Sequence, residues 1–266
     1  MHTAYAYVLR EQGRSHIKSL LVQRPPPVKT SSQTAARVGT RQAAMGKKGK
    51  SSAKKEQRQA RMRRREALET RLRAPRALEA CGAGFLQPAL LAVGNLRLSW
   101  TNELSTPDRE RCFAILEANM RAQYETNGWG WDATEKAREL AHEEARFVLV
   151  RDTSDAIQAF AHFRFEADDD DAPERATLYV RELQVAAGGR RQGVGRQLMA
   201  LLQLLGAKLE LDCVLLTVFT NDAGALAFYD GLKYVLDRDD PSLFDREECY
   251  RILSRALPKK PLREAN

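Results

Sequence analysis

The chain has 266 residues and a formal net charge of +8, but the charge is divided: residues 1–80 carry 20 Lys+Arg against 5 Asp+Glu, and residues 81–266 carry 23 against 30. A basic tail is joined to an acidic body, and each needs its own reading. No run of about 18 apolar residues exists, which excludes a transmembrane helix; four scattered cysteines (Cys81, Cys112, Cys213, Cys249) without a CxxC pair argue against a disulfide scaffold or structural zinc, and for a reducing compartment.

Residues 1–80 hold few large apolar side chains after Val22 and almost no aromatics after Tyr7. Such a segment cannot bury enough surface to offset the entropy of ordering, so most of it is expected to be disordered. Lys54–Leu72 (KKEQRQARMRRREALETRL) lacks breakers and can form a basic helix on a partner. It reads as a solvated charge run, or else as a nuclear-import signal or a patch that holds nucleic acid through phosphate contacts.

Composition changes near Cys81, and residues 81–258 are expected to form one α/β domain, with 259–266 as a C-terminal tail. Val93–Trp100 reads as a strand. Pro107 and Asp108 open a helix with Phe113, Leu116, Met120 and Tyr124 on one face, stopped by Asn127-Gly128-Trp129-Gly130. Asp132–Ala141 is a second helix. Phe147–Val150 and Gln158–Glu166 form a hairpin, Asp168–Asp171 a charged loop, and Thr177–Val185 a third strand. Gly193–Lys208 is a helix with Val194, Leu198, Leu201, Leu202 and Leu205 inward. Val214–Phe219 (strand), Gly224–Asp230 (helix), Lys233–Leu236 and Cys249–Leu253 (strands) complete the order β-αα-βββ-α-β-α-ββ.

The most informative stretch is Leu183 to Arg196, LQVAAGGRRQGVGR. A strand ends, a turn follows, and Gly193 and Gly195 open an amphipathic helix. Glycines let bare amides approach an anion, and the helix N-terminus, Arg190, Arg191 and Arg196 add positive charge. A pyrophosphate is the expected ligand. No GKS/T follows, so this is not a Walker loop, and the dinucleotide fingerprint is incomplete.

This RxxGxG pattern resembles the acetyl-CoA loop of the GCN5-related N-acetyltransferase (GNAT) superfamily, and the element order fits that fold: a mixed, mostly antiparallel sheet of about six to seven strands flanked by helices. Within the superfamily the sequence is similar to the histone-specific N-alpha-acetyltransferase branch, N-terminal acetyltransferase D (NatD). The similarity lies in NMRAQYETNGWGW (119–131), AHFRFE (161–166), RELQV before RRQGVG, LLTVFTNDAGALAFY (215–229), DDPS (239–242) and CYRILSR (249–255).

The resemblance implies transfer of acetyl from acetyl-CoA, without a metal, directly to the N-terminal amine of histones H4 and H2A, which begin Ser-Gly-Arg-Gly. Glu182 matches the general base; partly desolvated beside the thioester, it can accept a proton near neutral pH. Tyr229 matches a tyrosine that protonates the leaving thiolate. Leu183, Val185, Arg190, Arg191, Gln192, Gly193, Val194, Gly195, Arg196 and Asn221 match the acetyl-CoA site. Tyr124, Trp129, Tyr179 and Tyr250 match aromatic peptide contacts, and Glu166 and Asp168 match acids suited to the substrate arginine.

Two positions depart from the family pattern: Asp222 replaces an Asn, with Asn221 one place early, and Arg181 replaces a tyrosine of the substrate site beside Glu182. The family's chains begin Met-Gly and a Lys/Ser-rich stretch, as at Met45, so residues 1–44 are expected to be an extension or an early start. A monomer in nucleus and cytoplasm is expected, with no membrane contact and with ribosome or chromatin met through the tail. Acetylation of another N-terminus or of Lys is the alternative, and a nucleic-acid-binding module is the competing class; the acidic body lacks its motifs.

Overall fold

The computed structural model describes residues 96–167 and 175–258, together with Glu56, Gln59, Met62, Arg63 and Glu66, which are helical and exposed. The expectations for the rest of the tail, for the Asp168–Asp171 loop and for residues 259–266 lie outside the described residues. None of the described helices is long and apolar enough to cross a membrane.

Strand β1 is Arg97–Thr101, followed by helices α1 (Thr106–Thr126) and α2 (Ala133–Leu140). Strands β2 (Arg146–Arg151), β3 (Ile157–Ala167) and β4 (Ala176–Val185) form a meander. A 3-10 turn (Ala187–Gly189) leads to α3 (Val194–Lys208), β5 (Cys213–Phe219) and α4 (Ala223–Gly231). Strand β6 (Val235–Leu236), a second 3-10 turn (Pro241–Phe244) and β7 (Tyr250–Ala256) close the domain. The seven strands form one sheet in the order β1-β2-β3-β4-β5-β7-β6, antiparallel except for β4 with β5. The expected α/β fold and element order are therefore present.

Local chemistry sets the helix starts. Ser105 accepts from the Asp108 amide at 3.3 Å, Asp132 from the Glu135 amide at 2.9 Å, and Asp222 from the Ala225 amide at 2.9 Å. The five apolar residues expected on the inner face of α3 are all buried, and Val194, Leu198, Leu202 and Leu205 pack with Val148, Leu178 and Leu216 in the main core cluster. On the opposite face α1 covers Phe147, Leu149 and Phe160. The closing strand expected over Lys233–Leu236 is shorter. Lys233 sits at φ 64° and the Tyr234 amide still bonds to Tyr229 O at 3.0 Å, so the helix exit occupies those residues and pairing starts at Val235.

Two irregularities position the site. Strands β4 and β5 pair only from Thr177/Cys213 to Val180/Leu216, yet β4 runs on to Val185 and β5 to Phe219. The sheet opens there into a cleft. Across β3 and β4, His162 faces Glu182 and Phe163 faces Val180, which leaves Arg181 as an extra residue. Leu178 and Val180 before this bulge, and Leu183 and Val185 after it, all join the cluster under α3. The alternation therefore slips by one residue. Without the bulge Glu182 would point into that apolar core; with it, Glu182 faces α1 and α2.

Candidate active site

The cleft is a cavity of about 970 Å³ between β4, β5, α1 and the N-termini of α3 and α4. Its walls include Glu182 in the middle, the loop from Gly189 to Arg196 at one end, and Tyr124, Trp129 and Phe219 at the other.

The loop end is suited to an anion. Helices α1, α2 and α4 have a side chain on their first amides, whereas α3 starts at Gly193, with no side-chain cap. Gly193 lies at φ 83°, a conformation that glycine alone adopts without strain, and a Cβ there would have open space before it. The uncapped first turn of α3 lines the cavity through Gly193, Val194 and Gly195, and Arg190, Arg191 and Arg196 stand around it. Backbone amides, helix dipole and three guanidinium groups fit a pyrophosphate. Gln192 turns away from the wall and donates to Gly188 O at 2.9 Å, tying the loop to itself.

Glu182 is 6% exposed. Gln184 Nε2 donates to its Oε2 at 2.8 Å, and Lys136 Nζ lies 3.4 Å from its Oε1. Lys136 also donates to the Tyr124 hydroxyl at 2.5 Å and lies 3.4 Å from Glu139 Oε2. Burial works against the charge on Lys136, but Tyr124, Glu182 and Glu139 outweigh it and hold its pKa above the ordinary lysine value. Burial pushes the Tyr124 phenol up to about 12, against the opposing pull of Lys136.

The far end is aromatic. Trp129 and Phe219 have ring centroids 4.9 Å apart, Tyr124 lies 5.5 Å from Phe219 and 5.8 Å from Trp129, and Tyr250 packs on Trp129 at 5.7 Å, behind the wall. Tyr179 bonds to Thr217 Oγ1 at 2.7 Å across the last paired stretch of β4 and β5. Leu183, Val185 and Tyr229 line the cavity, and burial raises the Tyr229 phenol well above its usual value.

The remaining expected residues are held by contacts of their own, Arg181 and Asp222 on the wall and Asn221 off it. Asn221 is off the wall, where its Oδ1 accepts from Asn127 Nδ2 at 3.2 Å; Asp222 lines the wall while capping α4. The Arg181 guanidinium stacks 4.9 Å from the Tyr179 ring centre and reaches Glu166 Oε1 at 3.3 Å. Asp168 lies outside the described residues. Among the described residues no group of three or more His, Cys, Asp or Glu side chains is placed to hold a metal ion.

Sequence reasoning missed Lys136, Gln184 and Asn119. Lys136 lies four residues from Leu140, and these two are the buried residues of α2; that spacing was the available signal. Gln184 and Asn119 carried none, because their roles depend on the bulge and on where α1 docks.

Residues 110–234 match the model of the acetyltransferase (GNAT) family. Over that stretch the chain is similar to that family. Among solved structures, the ribosomal-protein-S18-alanine N-acetyltransferase from Escherichia coli is 18% identical, over 64% of this chain and 100% of its own, with a TM-score of 0.44. NAA60 from Arabidopsis thaliana, in complex with a bisubstrate analogue, is 11% identical over 62% of this chain and 100% of its own, with a TM-score of 0.47. Ard1 from Thermoplasma volcanium is 18% identical over 62% of this chain and 99% of its own, with a TM-score of 0.43.

Proposed function

We propose that the chain is an N-alpha-acetyltransferase of histones H4 and H2A, with acetyl-CoA as donor and Glu182 as general base. The observation that carries this reading is the place of Glu182. It is a buried carboxylate midway between an uncapped, arginine-flanked helix end and an aromatic slot. Acetyl-CoA supplies an activated acyl group. The α3 amides, Arg190, Arg191 and Arg196 are suited to hold its phosphates. Tyr124, Trp129 and Phe219 shape a slot that admits a small N-terminal residue and excludes water.

Glu182 takes the proton that the attacking amine must lose, directly or through one water. An α-amine has a pKa near 8 and a lysine side chain about 10.4, so a carboxylate base suits the former better. Tyr229, kept protonated by burial, returns a proton to the departing sulfur. The basic tail serves as the tether to chromatin or ribosome, in nucleus and cytoplasm, for a domain that acts as a monomer.

One observation favours a second choice of substrate. Glu166, matched by resemblance to a substrate-arginine contact, is already paired with Arg181. A cationic third residue therefore has to compete with an internal one, which favours N-termini without it. The assay uses the full chain, acetyl-CoA and the peptide Ser-Gly-Arg-Gly-Lys, with the α-amine free or blocked, beside a Ser-Gly-Ala-Gly-Lys control. Acetylation only of the free α-amine, faster with Arg, supports the histone reading. Equal rates with Ala move the substrate to other N-termini. Acetylation that survives the block makes the enzyme a lysine acetyltransferase.

A further inference from the structure

Lys136 is 2% exposed, does not line the cavity, and shares the buried face of α2 with Leu140. An apolar side chain of that size fills such a place without the desolvation cost of a charge. The ammonium instead touches three groups, Tyr124 on α1, Glu139 on its own helix and Glu182 on β4.

We propose that Lys136 is a positioning residue, whose buried ammonium holds the Glu182 carboxylate and the Tyr124 hydroxyl in register behind the cavity wall. The proposal rests on the reading of Glu182 as the base. Glu182 Oε2 is fixed by Gln184, and Oε1 by Lys136, so the carboxylate is held from two sides. Lys136 has no lone pair to offer when charged, so the Tyr124 oxygen accepts from it. The phenolic O–H of Tyr124, a residue of the wall, is not spent on this contact and remains a donor. One cation thereby fixes both the acceptor for the amine proton and a phenol of the cavity wall. The other titratable groups around this cluster are His162 on β3, opposite Glu182, Arg181 on the bulge, and Tyr229 on α4. Burial and the nearby Arg164 and Arg181 hold His162 well below its usual pKa, so it stays neutral.

The test uses the full chain with four variants: Lys136→Met, Glu182→Gln, the two combined, and Glu139→Gln. Lys136→Met is expected to bind acetyl-CoA within about threefold of wild type by calorimetry, because Lys136 does not touch the cavity. Its kcat falls about 10–100-fold, and the acid limb of its kcat–pH profile moves up by about one unit, as the carboxylate loses its cation. Added to Glu182→Gln, Lys136→Met changes kcat by less than about twofold, the signature of residues acting as a unit. A normal kcat with an unmoved limb, or the same loss in both backgrounds, overturns the proposal.

Glu139→Gln covers the case in which Lys136→Met does not fold. It removes a negative charge from the cluster at a partly accessible position, so the acid limb moves down by about half a unit with kcat within about threefold. An unmoved limb there overturns the proposal too. If Glu182→Gln keeps the wild-type rate, the base assignment itself fails, a result that no effect at Lys136 alone produces.

Discussion

Gln184 donates to Glu182 Oε2 at 2.8 Å from two residues further along the same strand and on the same face. Gln184 Oε1 accepts in turn from Asn119 Nδ2 at 2.9 Å, and Asn119 Oδ1 accepts from Arg190 at the mouth of the anion loop. Three hydrogen bonds thus join the loop to the carboxylate. A hydrogen bond to a charged group contributes about 1.5–3 kcal/mol. Gln184→Met should therefore lower kcat about 10-fold or more while KM for acetyl-CoA stays within about threefold. Steady-state kinetics with acetyl-CoA varied checks this; a loss confined to KM assigns Gln184 to binding instead.

Gly193 begins α3 at φ 83° with open cavity in front of it. A side chain there is strained by about 1–2 kcal/mol and stands in open space at the cavity wall. Gly193→Ala should lower Tm and weaken acetyl-CoA binding about 10-fold or more. Gly188→Ala, at a position with ordinary φ and no neighbour within 4 Å, should do neither. Calorimetry and thermal melts of the pair separate the anion site from a generic glycine turn.

Much of this arrangement is legible in the sequence, for identifiable reasons. The 3.6-residue spacing of Val194, Leu198, Leu201, Leu202 and Leu205 predicts α3 and its inner face, and Gly193 and Gly195 mark where it opens. Glu182 was legible only through resemblance, because nothing local marks the bulge at Arg181 that turns it to α1. Lys136 was hidden for a different reason. In ATEKAREL charges surround the helix, and the spacing of four from Leu140 is the one local sign that this charge goes inside. Trp131 drew notice only as the end of the similar stretch 119–131, yet it packs 5.7 Å from Tyr124, behind the slot.

Tyr229 lines the cavity with its phenol kept protonated by burial, as a proton donor to a leaving thiolate needs. Tyr229→Phe preserves the packing on Phe228 and Tyr234 and removes one proton. Its kcat should fall about 10–100-fold, with acetyl-CoA affinity kept. Equal kcat in the two proteins would return Tyr229 to a packing role.

Asp237 is fully buried and takes two hydrogen bonds from Arg175, at 2.6 and 3.0 Å. Burial raises its pKa, but the Arg175 bonds and charge, Ser254 and the Asp239 amide outweigh this and hold it below the ordinary aspartate value. A carboxyl whose folded pKa lies below its unfolded value of about 3.9 adds stability above that pH, and the contribution is lost as pH falls through the folded pKa. Asp237→Asn should therefore lower Tm at pH 6, and the gap to wild type should close as melts are repeated below about pH 4. A gap that persists to pH 2 would mean that shape, not charge, sets the cost.

The most direct test of the account is single-turnover acetyl transfer from bound acetyl-CoA to a Ser-Gly-Arg-Gly-Lys peptide, measured for wild type and Glu182→Gln, with acetyl-CoA affinity measured on both. The account predicts product on the α-amine alone in wild type. It also predicts a rate about 10²–10⁴ lower in the variant, with affinity nearly unchanged. Transfer by Glu182→Gln at close to the wild-type rate would contradict it.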